Sequence, residues 1–246
     1  MDWYEGFVLR RRPWRETSLW FEAFTREAGK VALIARGARR RKRAPIALEP
    51  FQPLALCWRG RGELATLTAA EAAAPPLRLG GTALYCGFYL NELMSRLLAR
   101  DDPHPALFDS YRETLKALAG GEVEGPLRRF ELRLLREIGY APLLDHEVEY
   151  ARPVVAEARY RYLPDRGPVA DPAGWLQGRT LLALARDALD DGEVRRQAKR
   201  LLRLLIDYRL QGRPLKSRQL FQTMVKKRQP SLPKGRGLRE NLQARG

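Results

Sequence analysis

Between residues 5 and 73 the apolar positions fall in short runs, each cut off by charged or glycine-bearing turns. "GFVLRRR" and "SLWFEAFT" are joined through Pro13, with Arg15, Glu16 and Thr17 at the turn. "KVALIARG" follows the "REAG" turn, and "FQPLALCW" pairs with "GELATLTAAE" around the glycine-rich "RGRG". Runs of this length bounded by such turns predict strands. Five of them within one short segment predict a small closed barrel of the OB-fold or SH3-like type, because open sheet edges are a liability.

The stretch "AAAPPLRLGG" over residues 72–81 ends the β pattern with two prolines and two glycines. Beyond it the apolar period changes to that of helices. "TALYCGFYLNELMSRLLA" places Leu84, Phe88, Leu90, Leu93, Met94, Leu97 and Leu98 on one broad face. "PALFDSYRETLKALA" repeats the pattern with Leu107, Phe108, Tyr111, Leu115 and Leu118. "PLRRFELRLLREIG" carries Leu127, Phe130, Leu134 and Ile138, starts near Pro126 and stops at Gly139, as helix punctuation requires. Helical pattern returns in "RTLLALARDAL", "EVRRQAKRLLRLLIDYRL" and "PLKSRQLFQTMVKK". The expected organisation is a barrel domain at 1–76, a helical bundle at 77–144, an irregular excursion at 145–178 and C-terminal helices at 179–228. The basic, apolar-poor tail at 229–246 is expected to be disordered.

About 45% of the residues are hydrophobic, a globular composition, and the net charge is +16. A surplus of that size spreads a positive field over the surface, and nucleic acid is its commonest partner, anionic membrane the other. Membrane is the weaker reading, since the cationic helices show no tryptophan- or phenylalanine-rich face. The N-terminus "MDWYEGFVLR" lacks the features of a signal peptide, and no run reaches the roughly 20 apolar residues of a spanning helix, so a cytoplasmic protein is expected. Cys57 and Cys86 sit in apolar contexts and read as free buried thiols. His104 and His146 are too far apart in sequence to suggest a metal pair, and no phosphate-cradling glycine loop follows a strand. Asp101 and Asp102, and Asp190 and Asp191, precede helix starts, where carboxylates serve as caps. No nucleophile with a neighbouring base stands out. The sequence describes a binder rather than an enzyme.

Three basic clusters rise above the background. The first is Arg36, Arg39, Arg40, Arg41, Lys42 and Arg43, after the third predicted strand, with Arg10, Arg11 and Arg12 on the first. Trp14, Trp20 and Phe24 lie among them and either stack bases or fill the barrel core. The second is Arg129, Arg133 and Arg136, on one face of the third predicted helix. The third is Arg196, Lys199, Arg200 and Arg203, extended by Lys216, Arg218, Lys226, Lys227 and Arg228. Arginine forks match phosphate oxygens, so the three together suggest a long track for a polyanion.

Six segments then resemble one known family, in order along the chain: "SLWFEAFTREAGKVALIARGAR", "FQPLAL" with "GRGELATL", "GFYLNELMSRLL", "DPHPALFDSYRETLKAL", "LRRFELRLLREIGYAP" and "LKSRQLF". They resemble the RecO family of bacterial recombination mediators from about residue 4 to about residue 228. The resemblance implies an N-terminal five-stranded OB-fold barrel followed by an α-helical C-terminal region. It implies binding to single- and double-stranded DNA, annealing of complementary strands, and contact with the C-terminal tail of single-strand binding protein and with a RecR partner. The biological role it implies is loading of the recombinase onto coated single strands. "GARRRKRAP" then corresponds to the cationic loop after the third barrel strand, assigned to phosphate contact, which carries affinity without reading sequence.

One departure stands out. Many members of that family carry four zinc-binding cysteines just after the segment matching "GYAP", whereas this chain reads "LLDHEVEYARPVVAEARY" there. His146 alone cannot supply a structural zinc site, so no metal and no other cofactor is expected. For the partner tail, which pairs acidic residues with an apolar tip, "PLRRFELRLL" offers both complements: Leu127 and Phe130 for the tip, Arg128 and Arg129 for the acids. The rival readings are a helical adaptor acting through protein contacts alone and an RNA-binding OB-fold protein.

Overall fold

A computed structural model describes residues 2–39, 48–60 and 62–228, with the backbone path alone for 225–228. Arg40, Arg41, Lys42 and Arg43 and the tail from residue 229 therefore lie outside the described residues, and the side chains of Lys226, Lys227 and Arg228 with them.

The five predicted strands form as β1 (Tyr4–Trp14), β2 (Ser18–Thr25), β3 (Gly29–Ala35), β4 (Leu54–Arg59) and β5 (Ala65–Ala72). They close in the order β1-β2-β3-β5-β4, with β4 returning to β1. All neighbours are antiparallel except β3 and β5, whose parallel pairing of Leu33 with Ala65 seals the barrel. This is the OB-type arrangement that the resemblance implied. Val8, Phe21, Ala23, Leu33, Leu54 and Leu56 fill its interior.

The alternating positions Phe7, Leu9 and Phe24 point outward, yet they are buried as well, because the helical half packs over them. α1 (Gly81–Leu97), α2 (Pro105–Ala119) and α3 (Glu124–Glu137) match the predicted helices closely. Phe108 on α2 stands 5.6 Å from both the Phe7 and the Phe24 ring, and Tyr111 meets Phe7 edge-on at 5.2 Å. One apolar core thus runs from the barrel wall into the helices.

The apolar face of α1 is turned from the one expected. Gly87 and Asn91 point inward, and Phe88 is 39% exposed while leaning on Phe51. The cause lies in β1. A bulge between Val8 and Arg10 breaks the ladder, and the Asn91 amide donates to the carbonyls of both Val8 and Leu9 while its oxygen accepts the Tyr111 hydroxyl. A buried polar side chain is retained there because backbone carbonyls would otherwise go unpaired.

The excursion expected to be irregular contains a small sheet. β6 (Arg159–Leu163) lies between β7 (Gly167–Ala170) and β8 (Leu176–Gln177), with Tyr160, Tyr162, Val169 and Leu176 buried. The Tyr160 hydroxyl accepts the Val155 N–H, and the Tyr162 hydroxyl donates to Leu143 O. Among the described residues no group of His, Cys, Asp or Glu side chains is placed to hold a metal ion. α4 (Gly178–Arg186), α5 (Gly192–Arg209) and α6 (Lys216–Arg228) complete the chain. Asp191 caps α5 by accepting from Val194 N at 2.8 Å. α6 is capped from another helix: Glu92 of α1 accepts from Lys216 N, Ser217 N and the Ser217 hydroxyl. Cys57 and Cys86 are both free thiols.

The barrel is keyed to the helices at the β2–β3 turn. Gly29 has φ +67°, and a Cβ built on it would lie 2.1 Å from Asp102 O. Lys30 donates from its buried Nζ to Ser95 O at 2.7 Å, and Asp101 N donates to Lys30 O. Gly29→Ala is expected to lower the unfolding free energy by roughly 2–4 kcal/mol, combining the left-handed backbone with overpacking against main chain. A urea midpoint unchanged from the parent would contradict this placement.

Candidate nucleic-acid interface and helical pocket

β1 and β2 present a cationic rib on the outside of the barrel. Cross-strand register sets Arg12 opposite Trp20 and Arg10 opposite Glu22. Arg12 lies over both Trp14 and Trp20, at 5.5 and 4.9 Å from the ring centres, and Arg10 lies over Trp20 at 5.1 Å. Trp20 is therefore buried beneath guanidinium groups rather than inside the barrel, packed on Ala32 and Ile34. Phe24, the third aromatic near this cluster in sequence, is wholly buried against Phe108.

Arg10 also grips Glu22 through two bonds of 2.6 and 2.7 Å, and Ser95 of α1 donates to the same carboxylate. Burial alone would push the Glu22 carboxyl upward. The Arg10 fork, the Ser95 hydroxyl and nearby Lys30 outweigh it and hold the group below its ordinary value. A depressed carboxyl contributes stability above its unfolded pKa of about 4.3, and that contribution is lost as pH falls through the lower folded value. The stability gap between the parent and Glu22→Gln should therefore narrow on acidification from about pH 5. A gap independent of pH in urea titrations would contradict it.

Arg36 and Arg39 are exposed at the end of β3. Arg39 is tied to the β1–β2 turn: its N–H donates to Thr17 O, and its guanidinium donates to Arg15 O and Glu16 O. The start of the cationic loop is thus anchored beside the Arg12–Trp14 end of the rib.

The helical half holds a second feature, a cleft of about 450 Å³ between α1, α3, α5 and α6. Leu127, Val123, Tyr85 and Phe221 give it an apolar wall, and Arg195, Lys199, Arg203 and Arg218 surround it with positive charge. Arg128 and Glu131 line it too, although both are nearly wholly buried, as an ion pair of 2.9 Å. The Tyr89 hydroxyl donates to the same Glu131 oxygen at 2.7 Å and also accepts from Arg218. Arg218 is shared with Asp207, which also pairs with Arg203 at 3.6 Å. Burial pushes the Tyr89 hydroxyl upward, so it stays a donor.

Of the residues expected to meet a partner tail, Leu127 and Arg128 line this cleft. Arg129 and Phe130 do not: Arg129 turns to Asp187 at 2.8 Å, and Phe130 is wholly buried beside Tyr111. α3 starts at Glu124, ahead of the expected Pro126, so Arg128 sits in its second turn, where Glu131 three residues on holds it. Of the third basic cluster, Lys199, Arg203 and Arg218 line the cleft. Arg196 pairs with Glu193, Arg200 stacks over Trp175 at 4.1 Å, and the Lys216 side chain is exposed. Arg133 pairs with Glu137, which also approaches His104. Tyr89, Glu131 and Phe221 are cleft residues that the sequence did not signal.

A closed OB-type barrel with a cationic rib, fused through one core to helices that hold a cation-ringed apolar cleft, defines a two-part binding protein. Comparison with known proteins places it. Residues 1–76 match the family described as Recombination protein O N terminal, and residues 78–219 match Recombination protein O C terminal. The chain is 50% identical over 222 residues to the DNA repair protein RecO of Methylococcus capsulatus, covering 89% of this chain and 92% of that one. It is 46% identical over 230 residues to the DNA repair protein RecO of Aromatoleum aromaticum, covering 91% and 96%. With that of Halorhodospira halophila it shares 45% over 228 residues, covering 89% and 96%. The chain belongs to the RecO family.

Proposed function

We propose that this chain acts in DNA repair and homologous recombination as a non-enzymatic mediator. It binds single- and double-stranded DNA, anneals complementary strands and helps load the recombinase onto strands coated by single-strand binding protein, with a RecR protein as a further partner. Family membership supports the repair role, since the relatives named above carry the name DNA repair protein. The observation that carries the finer reading is the pairing of two unlike surfaces in one chain. The Arg10, Arg12, Arg36 and Arg39 rib offers charge to a phosphate backbone. The cleft offers an apolar wall and a ring of cations to a tail of acidic residues with an apolar tip. Among the described residues no helix is long and apolar enough to cross a membrane.

Annealing of complementary oligonucleotides coated with single-strand binding protein tests the reading. The chain should accelerate it, and no acceleration at low salt would favour the helical adaptor. The DNA contact has its own prediction. Replacing Arg40, Arg41 and Arg43 with alanine should weaken binding to all sequences alike and flatten log K against log salt by roughly 0.7 per lost contact on single strands. An unchanged slope in anisotropy titrations would remove the loop from the interface.

A further inference from the structure

The floor of the helical cleft places opposite charges where a ligand must choose between them. Arg128 is 6% exposed and Glu131 1%. One Glu131 oxygen accepts from Arg128 and from Tyr89, while the other, Oε2, has no partner among the described residues, and Arg128 Nε has none among them either. Buried polar atoms are ordinarily satisfied, so a vacant donor beside a vacant acceptor calls for an explanation. The vacant donor suits a carboxylate from outside. The vacant acceptor does not, because a second carboxylate drawing on the same guanidinium meets the charge of the first, and neighbouring carboxylates do not both ionise freely.

We propose that Glu131 is an internal competitor of the ligand for Arg128, and that entry of a carboxylate-bearing tail into the cleft is coupled to proton uptake at Glu131. The inference rests on the reading of the cleft as a receptor for an acidic tail, and it adds what decides which tail is accepted and when. The proton comes from solvent and settles on Oε2, and Arg128 turns its freed hydrogen-bonding capacity to the ligand. Protonated Glu131 keeps the Tyr89 hydroxyl bond.

The neighbours leave Glu131 as the group that changes charge. Tyr89 and Cys86 face it from α1, Arg128 from its own helix, Lys199 from α5 and Arg218 from α6. Burial holds the Glu131 carboxyl above its ordinary value, against the pull of Arg128, Tyr89, Arg218 and Lys199. Burial also raises the Tyr89 hydroxyl and the Cys86 thiol, which keeps both neutral through the neutral range. Engaging Arg128 with a ligand removes part of the pull and raises Glu131 further. Affinity therefore increases as pH falls through the bound-state value, and levels off below the free-state value.

The test uses the full chain and an N-terminally blocked fluorescent peptide of three aspartates followed by two apolar residues. The aspartates, with ordinary pKa values of about 3.9, stay ionised above about pH 5.5. Anisotropy should show binding about tenfold tighter near pH 5.5 than near pH 8.5, the change expected when the ligand makes the Glu131 carboxyl about tenfold harder to ionise. Glu131→Gln keeps an oxygen for Arg128 and Tyr89. It should bind independently of pH, and more tightly than the parent at the alkaline end. Calorimetry of the parent in phosphate and in Tris should register uptake reaching about half a proton per peptide, the most that a tenfold change in ionisation allows, a readout that stands even where the glutamine variant fails to fold. Binding that is flat with pH and takes up no proton overturns the inference and leaves the receptor reading intact. A peptide that binds at no pH overturns both.

Discussion

Phe108→Ala is expected to lower the unfolding free energy by about 3–5 kcal/mol, the range for emptying an aromatic site in a closed core. Phe108 has no exposed surface and bridges Phe7 and Phe24 of the barrel to Tyr111 and the helices. The loss therefore falls on the seam between the two halves. Barrel tryptophan fluorescence and far-ultraviolet circular dichroism in urea should shift by the same amount and keep one shared midpoint, as a single cooperative transition requires. A drop below about 1 kcal/mol would mean that the cavity collapses freely. Separated midpoints would mean that the halves unfold apart.

Arg128→Ala has an effect of similar size and a different cause. Removing one partner of a buried ion pair leaves the other charge uncompensated, which costs about 3–5 kcal/mol. Uptake of a proton by Glu131 lessens that loss, so the destabilisation should be greater at alkaline pH than at acid pH. The same substitution should weaken an acidic-tail peptide by about 1–3 kcal/mol, the scale of a lost charge-assisted hydrogen bond. DNA binding in the absence of a partner should fall much less. Full peptide affinity in a folded Arg128→Ala protein would move the receptor elsewhere, with the Arg196 and Arg200 face of α5 next in line.

Much of the architecture was legible because its elements carry local signals. β2 is a short apolar run rich in aromatic residues and bounded by turns, and α2 buries Leu107, Phe108, Tyr111, Leu115 and Leu118, the residues its pattern marks. Legibility failed where burial and polarity part company. Asn91 and Glu131 sit in the core although their types belong to the surface, because each answers a group that only the folded chain brings near: freed carbonyls on β1, and the Tyr89 hydroxyl of α1. Phe88 fails in the other direction, since the same Asn91 contact sets the rotation of α1. The small sheet was missed for a different reason. Strands of 5, 4 and 2 residues among prolines and glycines are too short to show a period. For the cleft, the apolar and cationic ingredients could be read from "PLRRFELRLL", and the i,i+3 spacing of Arg128 and Glu131 is local, but the turn of Arg129 away to Asp187, 58 residues on, leaves no local mark.

The core that crosses from barrel to helices also bears on how such chains diverge. The two family segments meet between residues 76 and 78, as if they were separable parts. Phe7, Leu9, Phe24 and Phe51 nevertheless belong to the same apolar cluster as Leu90, Phe108 and Tyr111. A barrel grafted from a distant relative would arrive with an outer wall shaped for someone else's second helix. Substitutions at positions 7, 24 and 108 should therefore be inherited in matched sets, and the two halves should share one genealogy.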